Sequence, residues 1–336
     1  MTKPASKSSP KTVSLDALYA LVKDDLARVD SLILGRVKSE VPLIHDIAEH
    51  IIRSGGKRIR PALTLISSQL CGNNSGKPIA RAAAIEFIHT ATLLHDDVVD
   101  ESKLRRGLAT ANEMFGNKAS VLVGDFLLSQ AFQLMVVDGS LLVLGILSDA
   151  SAVIAKGEVM QLMTEGEPET SLQDYLNVIS SKTAVLFAAA CELGAIDAGN
   201  TNNHRTSLRD FGMQIGMAFQ LIDDVLDYAA DQATLGKAVG DDFREGKITL
   251  PVIIAYNAGN AEEKTFWKRT LADHKQRPGD FAQAAALLSK YNALSQSIAM
   301  AEGYCEQARH SIAGFADCPA KSAMLDLIDF CADRAY

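Results

Sequence analysis

The chain has 336 residues, of which 48% are hydrophobic, which is enough for a large buried core. Its formal net charge of -8 argues against nucleic acid as a partner, because polyanions are attracted by an excess of basic residues. The cysteines are scattered and form no CxxC pair, which favours reduced thiols over a disulfide framework or a zinc site and predicts a cytoplasmic protein.

The N-terminal stretch MTKPASKSSPKTVS is polar and lacks the apolar core of a secretory signal, so we expect a disordered polar tail at residues 1–14. From residue 15 onward apolar residues recur every three or four positions, as in LDALYALVKDDLARVDSLIL, and strand-like alternation is nearly absent. This pattern predicts a single all-α domain, a large helical bundle, over residues 15–336. No uninterrupted apolar run reaches the roughly 18 residues of a membrane span, so we expect at most peripheral membrane contact.

The segment GGKRIRP, residues 55–61, places three basic residues directly after a pair of glycines. Glycine allows the backbone to approach a ligand closely, and arginine can bind a phosphate through two parallel hydrogen bonds. We expect Lys57 and Arg60 to face an anion. Arg58, which lies between them, is expected to point to water.

Two segments with matching apolar flanks, LLHDDVVDE and QLIDDVLDY, each contain the pattern DDxxD. The acidic residues are Asp96, Asp97 and Asp100 in the first segment and Asp223, Asp224 and Asp227 in the second. On a helix, residues i and i+4 share a face, where like charges are destabilising unless a cation or a proton is bound. Carboxylates that leave room for water and phosphate oxygens favour magnesium. One such motif is equally consistent with a solvated helix face, but two with the same flanks predict a divalent-metal site.

A different interpretation of the HDD sequence is a metal-dependent phosphohydrolase in which His95 and Asp96 are ligands. Such a site needs further histidines, and no other histidine stands beside the second acidic segment. We therefore favour a packed, hydrogen-bonded His95 over a metal ligand.

More basic residues are distributed around the acidic segments. LRRG supplies Arg105 and Arg106, SKT supplies Lys182 and Thr183, and GKAVGDDFREGKITLP supplies Lys237 and Lys247. Each alone is best explained as a solvated surface charge, but the set predicts two anion sites, one bridged by metal and one bound by side chains directly. The chain contains no GxxxxGK[ST] loop, no GxGxxG after a strand and no GxSxG elbow, which favours a phosphate leaving group over a nucleotide cofactor.

The ordered set GGKRIRP, DDVVDESKLRRG, KT, GMAFQLIDDVLDY and GKAVGDDFREGKITLP resembles the trans-type isoprenyl diphosphate synthases. Within that family the chain is similar to the long-chain polyprenyl synthases that make quinone side chains. The resemblance extends from about residue 40 to the C-terminus. It implies an all-helical isoprenoid synthase fold around a deep central cavity, usually in a homodimer.

The resemblance also implies roles for individual residues, with about three Mg2+ ions per active site when substrate is bound. Direct magnesium ligands would be Asp96, Asp100 and Asp223, while Asp97, Asp224 and Asp227 would bind metal through water or hold the other aspartates. The isopentenyl diphosphate site would contain Lys57, Arg60, His89 and Arg106. The allylic diphosphate site would contain Arg105, Lys182, Thr183, Gln220, Lys237 and Lys247.

The implied reaction is repeated condensation of isopentenyl diphosphate onto an allylic diphosphate such as farnesyl diphosphate, giving a long-chain all-trans polyprenyl diphosphate. The residues expected to stabilise the departing diphosphate, through metal or directly, are Asp96, Asp100, Asp223, Lys182 and Lys237. Three alternatives stay open: a shorter-chain geranylgeranyl diphosphate synthase, a class I terpene cyclase and a non-catalytic partner subunit. A cyclase needs no second diphosphate site, so GGKRIRP and LRRG argue against it.

Product length should depend on the helix before the first acidic segment. Ala91 and Thr92 lie about one turn before Asp96 and are small, whereas short-chain members of the family carry a bulky aromatic residue there. Deeper residues expected to line or close a tunnel are Ile88, Ile85, Phe132, Met135 and Val136. Ordinary core packing explains Phe132 and Met135 equally well. The open position at Ala91 predicts an octaprenyl to decaprenyl product.

Overall fold

A computed structural model describes residues 14–53, 56–73, 75–105, 107–198, 202–229 and 240–334. The first part of the chain forms α1 (Asp16–Val37), α2 (Pro42–Arg53), α3 (Ile59–Leu70), α4 (Lys77–Val99), α5 (Ala111–Phe115), α6 (Asn117–Asp138) and α7 (Leu141–Thr164). The second part forms α8 (Leu172–Ile179), α9 (Val185–Gly194), α10 (Asn202–Ala229), α11 (Asp241–Glu245), α12 (Leu250–Ala258), α13 (Ala261–Trp267), α14 (Asp280–Lys290), α15 (Ala293–Ser311) and α16 (Pro319–Asp333). Two π-helical turns, Ser180–Ala184 and Lys268–Ala272, follow α8 and α13.

Strands are confined, in the described residues, to a two-residue antiparallel pair, Leu104–Arg105 with Leu108–Ala109, directly after α4. The predicted all-α class is confirmed. The predicted tail at residues 1–14 lies almost entirely outside the described residues, and its disorder stays a prediction.

Helix α4 lies at the centre of the bundle because it is apolar on nearly every side. Its buried residues include both small and large side chains along most of its length, and it contacts α1, α3, α6 and α9. A helix that is hydrophobic all round is buried by its neighbours. Helix α9 packs against both α4 and α10, so the two helices that carry the acidic segments lie against a common neighbour.

Three parts of the bundle are tied together by one buried arginine. Arg81, on α4, donates from Nε to Asp138 Oδ2 at 2.9 Å and from Nη2 to Asp197 Oδ2 at 2.5 Å. Its Nη1 also donates to the carbonyl oxygens of Leu193 and Ile196. The side chains of Arg81 and Asp138 are 1% and 2% exposed, so this ion pair is buried and well bonded. It fixes the C-terminal ends of α6 and α9 against α4.

Two stretches are long and apolar enough to cross a membrane by length and composition, Asn117–Asp138 and Leu172–Gly194. Their most apolar windows are 44% and 61% buried inside the protein. The core helices of a soluble bundle meet the same criterion, so these stretches are weak evidence for a membrane span.

Residues expected to set product length fall into two groups. Ile85, Ile88, Ala91 and Met135 are buried in the core between α4 and α6. Phe132 and Val136 are 41% and 71% exposed. Helix α6 contacts α4 through the side formed by Val123, Leu127, Ala131 and Met135, which places residues 132 and 136 on another face. Exposure in a single chain does not test whether Phe132 and Val136 close a tunnel, and that role stays a prediction.

Candidate active site

The first acidic segment lies at the C-terminal end of α4, where the helix stops at Asp100. Asp96 and Asp100 have partly exposed carboxylates, whereas the side chain of Asp97 is 1% exposed. Each accessible carboxylate faces a lysine from a distant part of the chain, Asp96 facing Lys182 and Asp100 facing Lys247. The predicted pairing of two carboxylates with basic residues is therefore present.

Lys182 is held by a π-helical turn and by a carboxylate that the sequence did not single out. Its Nζ lies 2.6 Å from Glu158 Oε2 and 3.6 Å from Asp96 Oδ2. Gly157 permits this approach, because a Cβ there would lie 2.8 Å from the backbone nitrogen of Lys182. Glu158 and Gln161 are three positions apart on α7, a spacing that places them on one face of the helix.

Lys247 joins the first acidic segment to Glu245, which follows the second acidic segment in the sequence. Its Nζ lies 3.2 Å from Asp100 and 2.6 Å from Glu245. Burial lowers the pKa of Lys247, but the carboxylates of Asp100, Asp242 and Glu245 outweigh burial and raise the pKa. The lysine is therefore charged at neutral pH and offers a cation between carboxylates that would otherwise repel one another.

Two aspartates of the second segment have different partners. Asp223 Oδ1 accepts from Arg334 Nη2 at 2.9 Å, close to the C-terminal end of the last helix. Asp227 accepts the backbone N–H groups of Asp241 and Asp242 at 3.2 and 3.0 Å, so it fixes the start of α11. Burial raises the pKa of Asp227, and these backbone hydrogen bonds oppose that rise. Asp227 is thus a structural acceptor here.

Asp224 belongs to a buried hydrogen-bond chain. It accepts from the Tyr175 hydroxyl at 2.5 Å and from Gln220 Nε2 at 2.8 Å. Gln220 Oε1 in turn accepts from the Thr183 hydroxyl at 2.9 Å. Burial raises the pKa of Asp224 to about 7, although the hydrogen bonds from Tyr175 and Gln220 oppose the rise. The predicted role for Asp224, holding neighbouring groups rather than binding metal directly, fits this geometry.

A cavity of about 140 Å³ brings these groups together. The predicted residues that line it are Lys182, Thr183, Gln220, Asp224 and Lys247. Tyr175 and Asp242 also line it, and both were missed because their partners are remote in sequence. Ammonium, hydroxyl and amide groups therefore converge on one small space beside the acidic segments, as an anion site requires.

A second basic cluster contains Lys57, Arg60 and His89 and lies on aromatic rings. Arg60 Nη1 is 3.1 Å from His89 Nε2, and the Arg60 guanidinium lies 4.4 Å from the centre of the Phe187 ring. Lys57 Nζ lies 5.3 Å from the centre of the Phe330 ring. Stacking on a ring holds a cation in place without removing its charge, so the cluster can attract an anion.

Arg334 adds a cation to this region that no motif predicted. Its guanidinium lies 4.7 Å from the centre of the Phe219 ring and 5.9 Å from that of Phe330. Phe330 and Arg334 are four positions apart on the last helix, a spacing that indicates a shared face but not what the face contacts.

The expectation that Arg58 points to water is wrong. Its side chain is 18% exposed, donates from Nη1 to Glu86 Oε1, and places Nε 3.5 Å from Asp30 Oδ1. Its backbone has φ 49° and ψ 33°, a left-handed conformation that could not be predicted from the sequence of this segment.

Arg105 binds an aspartate instead of facing an open site. Its Nε and Nη2 donate to Asp97 Oδ1 at 3.0 and 2.7 Å, which satisfies the buried carboxylate. Asp97 therefore holds Arg105, in agreement with a supporting role for this aspartate. Arg106 and Lys237 lie outside the described residues, and their roles stay predictions.

His95 is packed, as predicted. Its Nε2 lies 3.2 Å from the carbonyl oxygen of Val121 and 3.5 Å from Asp125 Oδ1. A Cβ at Gly124 would lie 2.3 Å from the same nitrogen, so the glycine makes room for the ring. Direct contact with α6 explains the histidine without a metal.

Comparison with known proteins agrees with this geometry. Residues 41–288 match the family described as polyprenyl synthetase. The chain belongs to the polyprenyl synthetase family. It is 43% identical to the octaprenyl diphosphate synthase of Haemophilus influenzae over 324 residues, covering 96% of this chain and 98% of that protein.

Two solved structures are similar over nearly their full length. A decaprenyl diphosphate synthase from Rhodobacter capsulatus has a TM-score of 0.92 and 45% identity, covering 96% of this chain and 100% of that one. A polyprenyl synthase from Caulobacter crescentus, complexed with calcium and isoprenyl diphosphate, has a TM-score of 0.93 and 45% identity, covering 98% and 100%. The predicted family and the predicted prenyltransferase class are confirmed.

Members of the polyprenyl synthetase family need a divalent metal, and the donor set fits one. Among the described residues no three acidic, histidine or cysteine side chains form a closed metal cage. Burial raises the pKa of Asp96, the Lys182 ammonium opposes the rise and the Asp100 carboxylate adds to it, so a cation bound there would favour the ionised carboxylate. Few hard oxygen ligands, with positions left for water and phosphate, suit Mg2+ bound together with its substrate.

Proposed function

We propose that this polyprenyl synthetase condenses isopentenyl diphosphate repeatedly onto an allylic diphosphate such as farnesyl diphosphate, and releases an octaprenyl to decaprenyl diphosphate. The observation that supports this proposal is that the anion-binding residues form two separate regions. One contains Lys182, Thr183, Gln220 and Lys247 beside both acidic segments, and the other contains the basic cluster on aromatic rings. The names of the similar octaprenyl and decaprenyl synthases support the same product class.

The acidic segments and the cavity would hold the allylic diphosphate. Asp96, Asp100 and Asp223 would bind about three Mg2+ ions, which supply Lewis-acid stabilisation of the leaving diphosphate. Lys182 and Lys247 already lie beside Asp96 and Asp100, so their charges need little rearrangement as negative charge grows on the diphosphate. Thr183 and Gln220 would orient its oxygens, and we assign Lys237 to the same side.

The second basic cluster would hold isopentenyl diphosphate. Lys57, Arg60, His89 and Arg106 would bind its diphosphate, leaving its double bond beside the allylic carbon. Orientation lowers the barrier because the two reactants no longer have to meet by diffusion. Phe187 and Phe219, which lie against each other at 5.7 Å between ring centres, would help to exclude water from the carbocation. The departing diphosphate would accept the proton.

Growth of the product requires space beyond Asp96. Ala91 is 2% exposed and lies one turn deeper on α4, with Ile88 below it. We propose that the small side chains of Ala91 and Thr92 let the apolar chain pass, and that Ile88 and Met135 lie further along its path. A quinone side chain is the product use that we propose.

We also propose a homodimer and a cytoplasmic location. Large apolar side chains are exposed along α6 and α7, and no other element within the described part of the chain covers them: Leu122, Phe132, Val136, Leu141, Val159 and Met163. A contiguous apolar face of this kind is typical of a subunit interface. All five cysteines are free thiols, which agrees with a reducing compartment.

The test is a product assay. Purified protein is incubated with farnesyl diphosphate, excess isopentenyl diphosphate and Mg2+, and the products are measured by mass spectrometry. We expect one long product of eight to ten isoprene units, about 40 to 50 carbons, and loss of turnover in Asp96→Asn and Asp223→Asn. A product of 20 carbons would indicate a geranylgeranyl diphosphate synthase. Turnover of the allylic substrate without isopentenyl diphosphate would indicate a cyclase, and the absence of any turnover would indicate a non-catalytic partner subunit.

A further inference from the structure

A residue in an unfavourable backbone conformation lies in the predicted isopentenyl diphosphate site. Arg58 directly precedes α3 with φ 49° and ψ 33°, the left-handed region that residues with a side chain adopt only at an energetic cost. Gly55 and Gly56 stand just before it, yet the left-handed position itself is occupied by arginine. The conformation must therefore be held by its surroundings.

Two helices hold this segment from either side. Arg58 Nη1 donates to Glu86 Oε1 on α4, and Arg58 Nε lies 3.5 Å from Asp30 Oδ1 on α1. The hydroxyl of Tyr19, also on α1, donates to the carbonyl oxygen of Lys57. The side chain of Glu86 is 7% exposed, and a carboxylate this deeply buried needs a partner of opposite charge.

The held turn separates two substrate-binding cations. Lys57 precedes Arg58 and lies over the Phe330 ring, while Arg60 follows two residues later and contacts both His89 and the Phe187 ring. A change of φ at residue 58 would rotate Lys57 relative to Arg60. The spacing of the two cations therefore depends on a conformation that Arg58 does not favour by itself.

We infer that Arg58 is a positioning residue for isopentenyl diphosphate binding: its buried ion pair with Glu86 holds the left-handed turn that orients Lys57 and Arg60. The inference rests on the proposed function, which assigns the isopentenyl diphosphate to this cluster. It assigns no contact between Arg58 and substrate, because both ends of the guanidinium are already directed to carboxylates.

Three variants separate positioning from direct binding. Arg58→Ala removes the ion pair and keeps the backbone cost, so we expect the KM and the Kd for isopentenyl diphosphate to rise about tenfold. Arg58→Gly also removes the ion pair but adopts a positive φ freely, so the rise should be smaller, about threefold. Glu86→Gln keeps the size of the side chain and one hydrogen bond but weakens the ion pair. We expect it to raise the KM and the Kd for isopentenyl diphosphate several-fold, although Glu86 lies away from the substrate.

The measurements are steady-state KM for each substrate and titration calorimetry with isopentenyl diphosphate alone. The KM for farnesyl diphosphate should stay within about twofold in every variant, since the allylic site is elsewhere. Arg28→Ala removes an exposed cation that pairs with Asp25 on α1, and serves as the matched control with unchanged constants. Thermal unfolding of each variant separates a loss of stability from a loss of binding.

The outcomes distinguish the inference from the proposed function. Equal losses in Arg58→Ala and Arg58→Gly, with unchanged binding in Glu86→Gln, would make Arg58 a direct ligand and overturn the inference. If the wild-type enzyme is active and all three variants bind isopentenyl diphosphate with wild-type affinity, the inference about Arg58 is overturned and the proposed function is unaffected. If the wild-type chain binds isopentenyl diphosphate but does not elongate farnesyl diphosphate, the proposed function fails and the calorimetric comparison still decides the role of Arg58.

Discussion

The ammonium group of Lys247 lies 3.2 Å from the carboxylate of Asp100, although 147 positions separate the two residues in the sequence. The contact joins the end of α4 to the segment that follows α11. Lys247 also lies 2.6 Å from Glu245, so one positive charge lies between the carboxylates of Asp100 and Glu245. An allylic diphosphate bound there would find a cation already in place.

Replacement of Lys247 by methionine should impair catalysis more than folding. The variant loses a charge beside the departing diphosphate, so we expect kcat/KM for the allylic substrate to fall about 100-fold. Steady-state kinetics with farnesyl diphosphate varied at saturating isopentenyl diphosphate measures this. Lys268→Met is the matched control, because Lys268 pairs with an exposed Glu169 in a surface salt bridge. A variant as active as this control would show that Lys247 only neutralises Asp100.

Asp224 should make the metal-free protein less stable as pH rises. Burial holds its pKa at about 7 in the folded chain, above the roughly 3.9 of an exposed aspartate. Between these values the folded state binds more protons than the unfolded state, so the free energy of unfolding falls from about pH 4 to pH 7. This group alone contributes a loss of up to ~4 kcal/mol.

Asp224→Asn removes the ionisation and can keep its hydrogen bonds. The new amide can accept from Tyr175 and donate to Gln220 if the Gln220 amide turns over and bonds Thr183 through its nitrogen. Urea unfolding in EDTA across pH 4 to 7 should therefore show a smaller pH dependence than wild type. If the free energy of unfolding depends on pH equally in the two proteins, Asp224 does not titrate in this range.

Local spacing was sufficient to predict the helical fold and the acidic pairs, because DDxxD on a helix places Asp96 and Asp100 on one face whatever surrounds them. It failed where a partner comes from far along the chain. Glu158 is 24 residues from Lys182, Tyr175 is 49 residues from Asp224, and Arg334 is 111 residues from Asp223. Such contacts depend on how helices pack, which periodicity does not specify.

Two side chains could not be placed from the sequence, for different physical reasons. Helix α6 is apolar on more than one side, so periodicity could not say whether Phe132 or Met135 faces α4. The direction of the Arg58 side chain was predicted wrongly because the short segment GGKRIRP indicates neither the left-handed backbone nor the buried carboxylate partner. Both cases concern the direction of a side chain, not the element that carries it.

Arg81 should matter for stability and not for chemistry. Arg81→Met leaves the buried Asp138 carboxylate without its main partner, so we expect the free energy of unfolding to fall by about 3–5 kcal/mol. Denaturant unfolding measures the loss, and kcat of the folded enzyme should stay within about twofold of wild type. Arg81→Met with Asp138→Leu should recover part of the stability, since no unpaired charge then stays buried at that position. No recovery would indicate that the carbonyl contacts of Arg81 dominate.

The final prediction concerns Ala91, which is 2% exposed on the face of α4 that continues from Asp96. If the product passes this position, the ring of Ala91→Phe enters the tunnel and stops elongation early. We expect a shorter product at a nearly unchanged initial rate, and a stability loss below ~1 kcal/mol. If Ala91 is instead packed core, the larger ring must strain its neighbours, which typically costs about 1–3 kcal/mol.

Product analysis and unfolding of the same Ala91→Phe preparation therefore distinguish a tunnel from a packed core. Phe132→Ala tests the predicted floor residue on α6, whose side chain is 41% exposed in one chain. That variant should give a longer product if Phe132 closes the tunnel, and a product of wild-type length if it does not. A full-length product from Ala91→Phe together with a large stability loss would place the path of the growing chain on a different face of the bundle.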